Sequence, residues 1–572
     1  MSTSVPAPNV VAHPGRARPI VGVLAAVVLA AVAVLLDAQG SAEALTGSGS
    51  GLTSSVGAGM WIFKVWLIVH AAAVLAATLV PPTGSGARLL AAAPATSAGA
   101  PTVAWLLLAI LAVGAALRFY ALGDGLWHDE VRALVIYARA PFAEILTTFD
   151  SQNQHLLYSL LAHGALSVVG DEVVALRLPA ALFGLASLWA TYWLGSIVAS
   201  RREGLLAAAL LAASYHHVWF SQNARGYTGL LFFALLSTAL LVRLMRSDRA
   251  EGWGLVVLYA VVSAFGVYTH TGAVFVTAGH FIVWGVLAIR ARLQGRRLGW
   301  PGWLPIFGFA LATTLTIQLY APVLPQLLQT SLSPTLGGVA VDWKHPLWFL
   351  REMFGGMARG IPGGFVTVGA ALAIGAAGVV SYVRRAPAVL ALMLLPALLT
   401  AAAMIATDHN LWPRLFFFCA GFAALLAVRG VMALATVAVG SRGPAWAAAL
   451  LVLGAAASLT TVPRAWGPKQ DFEGALAYVE SRRAPGDAVV ALDMARFTFR
   501  RYLGRDWPAA ETVASLAAIE AQHPRTWVVY TFPARLEATQ PALLHYVRNN
   551  YSRAARFTGT VGGGAVIVMV RE

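Results

Sequence analysis

Apolar runs of bilayer length recur along this 572-residue chain, and no other feature constrains its fold so strongly. A run of about 17–25 apolar residues crosses a hydrocarbon core as a helix, because a helix satisfies its backbone polar groups from within. Thirteen such runs are expected, at roughly 19–36, 59–80, 103–121, 174–198, 204–220, 227–245, 254–268, 271–290, 302–322, 362–382, 387–407, 413–436 and 444–461. The run 254–268 is the shortest of them. Composition agrees: the chain is 58% hydrophobic and 11% charged, which a soluble protein of this size could not keep from aggregating. The sequence predicts a polytopic α-helical membrane protein.

The connecting segments sort by charge. One set is basic: Arg16 and Arg18, Arg88, Arg201 and Arg202, Arg243 to Arg249, Arg290 to Arg297, Arg384 and Arg385, and Arg442. The alternate set carries Asp37 and Glu43, Asp124 to Glu172, Asp342 and Glu352, and Asp408. Basic loops stay in the cytoplasm, so the amino terminus is expected inside and the carboxyl terminus, after thirteen crossings, outside. A cleaved signal peptide at the first span is the alternative to a retained anchor, and leaves the other spans unchanged. The net charge of +15 is then explained by cytoplasmic span ends and implies no nucleic acid. Only Lys64, Lys344 and Lys469 are lysines among 40 basic residues, a bias that suggests a GC-rich bacterial genome. The single cysteine, Cys419, excludes an internal disulfide and a thiolate metal motif.

Three parts are expected. Residues 1–102 hold two spans and a flexible linker at 81–102. Residues 103–465 hold the remaining spans, with long outer loops at 122–173 and 323–361. FAEILTTF and HLLYSLLAHGALSVV in the first loop read as surface helices, and VDWKHPLWFLREMF in the second as an interfacial segment. Residues 466–572 have soluble composition. EGALAYVESRR reads as a helix, and AVVALD, TWVVYTF and AVIVMV as strands, giving a small extracytoplasmic α/β domain with no phosphate-binding glycine fingerprint. Such a domain ordinarily caps or docks.

The polar residues concentrate in a few outer motifs. GDGLWHDEVR (123–132) sets Asp129, Glu130 and Arg132 at the end of a span, and Arg132 shares a helical face with Asp129 three residues earlier. SQNQHLLY (151–158), YHHVWFSQNARGYTG (215–229), VYTHTG (267–272) and DHNLWPR (408–414) fall on the same expected side. Taken singly, a pair of carboxylates there is ordinarily a solvated interfacial loop, and a lone histidine a hydrogen-bonded structural group. Five such motifs on one face could converge between helices.

In order, LWHDEVRAL, QHLLYSLL, ALRLPAALFGLASL, YHHVWFSQNARGYTGLLFFALLS and YTHTG resemble the GT-C glycosyltransferases of the protein O-mannosyltransferase and aminoarabinose-transferase superfamily, the glycosyltransferase family 39 type. The resemblance spans residues 103–290, a third of the chain, and the two first spans precede it. It implies an inverting enzyme that moves a hexosyl or pentosyl group from a polyprenyl-phosphate donor to a lipid, glycan or protein acceptor, at the outer face of a bacterial cytoplasmic membrane. It makes Asp129 the general base, with Glu130 tuning it or holding the loop. It makes Arg132, foremost, and Arg225 the contacts to phosphate and donor, with Gln154, His155, Tyr158 and Tyr227 beside them. There are departures. The glutamate–lysine pair common before the LY is here Asn153 and Gln154, and Asn223 stands where an acid is common. A divalent metal is therefore left open, with His155 and His270 as candidate ligands. A lipid or solute transporter would instead place charges at mid-membrane and show inverted repeats. A non-catalytic scaffold would carry the motifs as relics.

Overall fold

A computed structural model describes residues 17–47, 50–80, 82–91, 100–249, 252–332 and 341–572. Arg16, part of the 81–102 linker and residues 333–340 of the second outer loop lie outside the described residues. All thirteen expected runs coincide with helix, but fewer qualify as full spans. Among the described residues nine helical segments are long and apolar enough to cross a membrane, or ten with the bent pair Ile20–Leu35 and Ala38–Thr46.

The difference from thirteen has three sources. Residues 413–459 count as one segment, yet form two helices, Ala420–Val439 and Gly443–Leu459, packed on each other. Trp253–Thr269 has only 17 residues. The run 204–220 is cut into Arg201–Ala212 and Tyr215–Ser221, because Ser200 and Ser214 each cap a new helix by accepting a backbone N–H through the side chain. The first of these helices lies unusually close to its predecessor, Glu172–Val198: a Cβ added to Gly195 would stand 2.6 Å from the Gly204 Cα. Helix Tyr227–Arg246 is the central post, 83% of its apolar window buried against 11% for the peripheral Pro101–Phe119.

The polar segments separate to two ends. At one, Arg88 pairs with Asp248 at 2.7 Å, and Arg296 donates to the Arg88 carbonyl. The described part of the expected flexible linker is docked there: Leu89 and Leu90 are buried and both donate backbone N–H groups to the Met245 carbonyl. At the other end lie all the outer motifs. Both expected surface helices of the first loop form, as Phe142–Thr147 and Leu156–Leu166, preceded by a short helix, His128–Arg132, that runs into a π-helical turn, Ala133–Ala138. Such turns are rare overall and frequent at functional sites. Helix Pro346–Gly360 packs against Tyr215–Ser221 at the same end.

From Phe472 the chain forms a four-stranded sheet with helices on both faces. Strands β1 (Ala488–Ala491), β2 (Thr526–Tyr530), β3 (Ser552–Phe557) and β4 (Val566–Arg571) take the order β1-β2-β4-β3. β1 and β2 are parallel and the other pairs antiparallel. Alternation sends Val489, Trp527 and Val529 to one core and Val490, Val528 and Tyr530 to the other. β3 escapes the sequence reading because SRAARF is a half-exposed edge strand with two arginines.

Candidate active site

The SQNAR stretch works as a clamp. The Gln222 amide donates to the carbonyls of Arg118 and Tyr120, at 3.1 and 2.6 Å. Asn223 Oδ1 accepts from Trp127 Nε1 at 3.1 Å, so this amide, standing where an acid is common in the resembling family, is occupied. The Ala224 N–H donates to Glu130 Oε1 at 2.8 Å. Three consecutive residues thus hold the 118–130 segment, and the fourth, Arg225, reaches Asp129.

Glu130 faces the protein interior, with its side chain fully buried. Arg177 grips both its oxygens, Nε to Oε1 at 2.8 Å and Nη2 to Oε2 at 2.7 Å. The same guanidinium closes the preceding loop by donating to the carbonyls of Leu122, Asp124 and Gly125. Burial pushes the Glu130 carboxyl up, but Arg177, Lys469 and the hydrogen bonds outweigh it and hold the group below its ordinary range.

Asp129 faces the other way. Its side chain is 16% exposed and lines a cavity of about 620 Å³ between the helical bundle and the C-terminal unit. Its cation neighbours are Arg414 Nη1 at 3.4 Å and Arg225 Nη1 at 3.8 Å. Burial raises the Asp129 carboxyl, and Arg225, Arg414, His128 and Arg132 together draw it below the ordinary value. Arg414 lines the cavity as well.

Behind Asp129 several buried polar atoms have no hydrogen-bond partner: Arg225 Nε and Nη1, Asn153 Nδ2, Gln154 Nε2 and His155 Nε2. Folded proteins pair nearly all such atoms with protein, water or ligand, so these atoms are open to an added partner. Gln154 is fixed by Ser159 through its oxygen, and His155 by the Thr269 carbonyl through Nδ1 at 3.1 Å. That bond makes Nδ1 the protonated nitrogen and Nε2 an acceptor. Tyr137 anchors the loop by donating to Asp150 at 2.5 Å. Tyr227 stands 6.0 Å from the His155 ring and 5.3 Å from that of His270, beneath Arg225.

The two candidate metal ligands do meet, with ring centroids 4.8 Å apart. Among the described residues no group of three or more His, Cys, Asp or Glu is placed to hold a metal ion. Burial, then Arg225 and His270, push His155 far below the ordinary histidine value; burial, Arg225 and Arg414 bring His270 down to about 3. Two imidazoles with no third imidazole, thiolate or carboxylate placed beside them among the described residues fall short of the ligand set of a divalent-metal site, so the residues present do not fit one.

Two expected site residues make their direct contacts elsewhere, although Arg132 still acts on Asp129 at longer range. The Arg132 guanidinium lies 5.7 Å from the ring centre of Phe497, in the C-terminal unit, and the ion-pair partners of Asp129 are Arg225 and Arg414 instead. Tyr158 sits in the core with its hydroxyl on the Leu176 carbonyl at 2.6 Å. Arg414 is the gain: DHNLWPR signalled it only as one more polar outer motif. The C-terminal unit is the other. Met494, Phe532 and Arg535 line the cavity, and nothing in their sequence distinguishes them from ordinary loop residues.

No family model matches the chain, and no curated protein does. Among solved structures it is similar to an oligosaccharyltransferase of Archaeoglobus fulgidus in complex with zinc and sulfate, at TM-score 0.48 and 11% identity, over 81% of this chain and 74% of that one. It is similar to ArnT from Cupriavidus metallidurans bound to undecaprenyl phosphate, at TM-score 0.47 and 12% identity, over 83% and 98%. It is similar to the arabinosyltransferase EmbB from Mycobacterium smegmatis, at TM-score 0.43 and 13% identity, over 80% and 47%. The chemistry of this chain rests on the residues described above.

Proposed function

We propose that this protein is an inverting glycosyltransferase that moves a hexose or pentose from a polyprenyl-phosphate donor to an acceptor hydroxyl, at the outer face of a bacterial cytoplasmic membrane. The observation that carries the reading is one carboxylate on a cavity wall, flanked by Arg225 and Arg414, with unpaired buried donors behind it. The bound phosphate takes up Arg414 and the free nitrogens of Arg225, since planar guanidinium groups grip phosphate oxygens in pairs. Asn153 and Gln154 offer further N–H groups.

In the free protein Asp129 is held ionised by two cations, which makes it a weak base. A phosphate that draws those cations to itself lifts the Asp129 carboxylate toward useful basicity, so donor binding primes the base. The acceptor O–H gives its proton to Asp129 as its oxygen bonds to the anomeric carbon. The bond from that carbon to the phosphate oxygen breaks on the opposite face, the electron pair stays with the phosphate, and the sugar configuration inverts. The arginines stabilise the charge gathering on the leaving phosphate. Segregation of the basic segments at the far end of the bundle supports the expected orientation, with the amino terminus in the cytoplasm.

The test is reconstitution in liposomes with a synthetic, isotope-labelled polyprenyl-phosphate sugar. Release of polyprenyl phosphate, one per sugar transferred, with inverted anomeric configuration by NMR, is expected. Movement of intact donor across the bilayer without bond cleavage would establish a flippase instead.

A further inference from the structure

The cavity in front of Asp129 is walled by aromatic rings. Trp127, Trp219, Trp343, Trp348 and Trp412 all line it. An interfacial belt does not account for them, because belt tryptophans face outward. Trp61, Trp105 and Trp446 do so, at 57%, 71% and 58% exposure. The cavity rings are held in place instead. Trp127 Nε1 is fixed on Asn223, and Trp219 Nε1 donates to Thr560 Oγ1 at 2.8 Å. Trp412 packs on Trp343 and Trp348, at 4.8 and 5.5 Å between centroids, with the Arg414 guanidinium 4.9 Å from its own ring.

Charged groups share the cavity wall with these rings. Glu352 and Arg359 come from helix Pro346–Gly360, and Arg535 from the C-terminal unit. Arg535 Nε donates to Asp493 Oδ2 at 3.0 Å. Asp493 and Phe532 hold φ of 45° and 48°, conformations that non-glycine residues adopt at a cost and that cluster at binding sites. The wall supplied by the C-terminal unit is thus kept in a strained shape beside the cavity.

A lipid chain would call for an aliphatic slot, and an extended peptide for a free strand edge. Flat apolar plates with charged groups on the same wall suit a molecule with apolar faces and a hydroxyl-bearing perimeter. We infer that the acceptor is a saccharide, seated between these tryptophans with one hydroxyl toward Asp129 and others toward Arg535, Arg359 and Glu352. This rests on the glycosyltransferase reading and supplies its acceptor class.

Two measurements test it. The first needs no donor. The full chain in nanodiscs is examined by saturation-transfer NMR against a panel of methyl glycosides of hexose and pentose disaccharides. Binding of at least one, through its ring C–H groups, is expected. Trp348→Ala and Trp412→Ala should each weaken it about tenfold, the scale of one aromatic contact, whereas Trp61→Ala, on the outside of the bundle, should not. Failure of every saccharide to bind, or binding indifferent to both cavity variants, overturns the inference. The second is linkage analysis of the labelled transfer product. A sugar–sugar glycosidic bond is expected; a bond to a serine or threonine side chain, or to a non-sugar lipid hydroxyl, overturns the inference while leaving the transferase reading intact. Saccharide binding without any release of polyprenyl phosphate would sink the transferase reading alone.

Discussion

Asp129 and Glu130 are neighbours in the chain and opposites in the fold. Behind the short helix, Glu130 is buried, doubly gripped by Arg177 at 2.7–2.8 Å and bonded to the Ala224 N–H. In front, Asp129 looks into the cavity, and its arginines stand off at 3.4 and 3.8 Å. The first arrangement satisfies a charge completely and leaves it nothing to give a substrate. The second holds a charge loosely, with cations that a phosphate could take over. Hydrogen-bond saturation thus separates a locked carboxylate from an available one where the residue type does not.

Exchanging the two roles is the sharpest way to break this comparison. Asp129→Asn should leave the thermal transition in detergent near wild type and lower sugar transfer about 10²–10⁴-fold, the usual worth of a positioned base. Near-normal transfer would remove Asp129 from that role. Glu130→Ala should do the reverse. It strands the Arg177 guanidinium, 2% exposed, and removal of one partner from a buried pair costs about 3–5 kcal/mol. A stable Glu130→Ala protein that has lost only transfer would mean that both carboxylates take part in the chemistry.

The arginines sharpen the comparison further. Arg225→Ala removes a cation beside Asp129 and should raise the donor KM roughly 10–100-fold, as loss of hydrogen bonds to a charged group does. Arg132→Ala, on a guanidinium stacked toward Phe497, should raise it much less. Steady-state kinetics with the synthetic donor decide the order, and the opposite ranking would return the phosphate to Arg132.

The smallest effect, counted per pH unit, lies behind the helix. Lys469 is 3% exposed and donates to the Gln222 carbonyl at 2.7 Å. Burial, then Arg177, push its ammonium down to about 7 from 10.5, against the opposing pull of Glu130. Between those values the folded seam holds Lys469 neutral, while the opened seam protonates it. Raising the pH from 7 toward 10.5 therefore favours the closed form, by at most about 1.4 kcal/mol per pH unit, and lowering it toward 7 removes that gain. Calorimetry should show the transition temperature rising with pH across this window, and a shallower rise in Lys469→Met.

Helices at all thirteen apolar runs were legible, because bilayer-length runs dictate helix without reference to neighbours. Their grouping into nine or ten spans was not: Ser214, for one, cuts the run 204–220 through a local cap that looks like an ordinary loop residue. Three of the four strands were visible as apolar runs; the edge strand SRAARF was not. In the site, Asp129, Arg225 and the His155–His270 pair came from motifs, while Arg414 reaches Asp129 across 285 positions of sequence.

By itself the sequence determined that this chain lives in a membrane as a helical bundle, and that its basic connecting segments and its outer polar motifs sort to opposite ends. Those properties follow from solvation, which each segment carries alone. Only the tertiary structure decided which carboxylate is locked and which is available, which arginines stand beside it, and that a strained edge of the C-terminal unit closes the aromatic cavity. Those outcomes depend on where Arg177, Arg414 and Phe532 arrive in space, and pairing across such distances is set by packing, which no local pattern encodes.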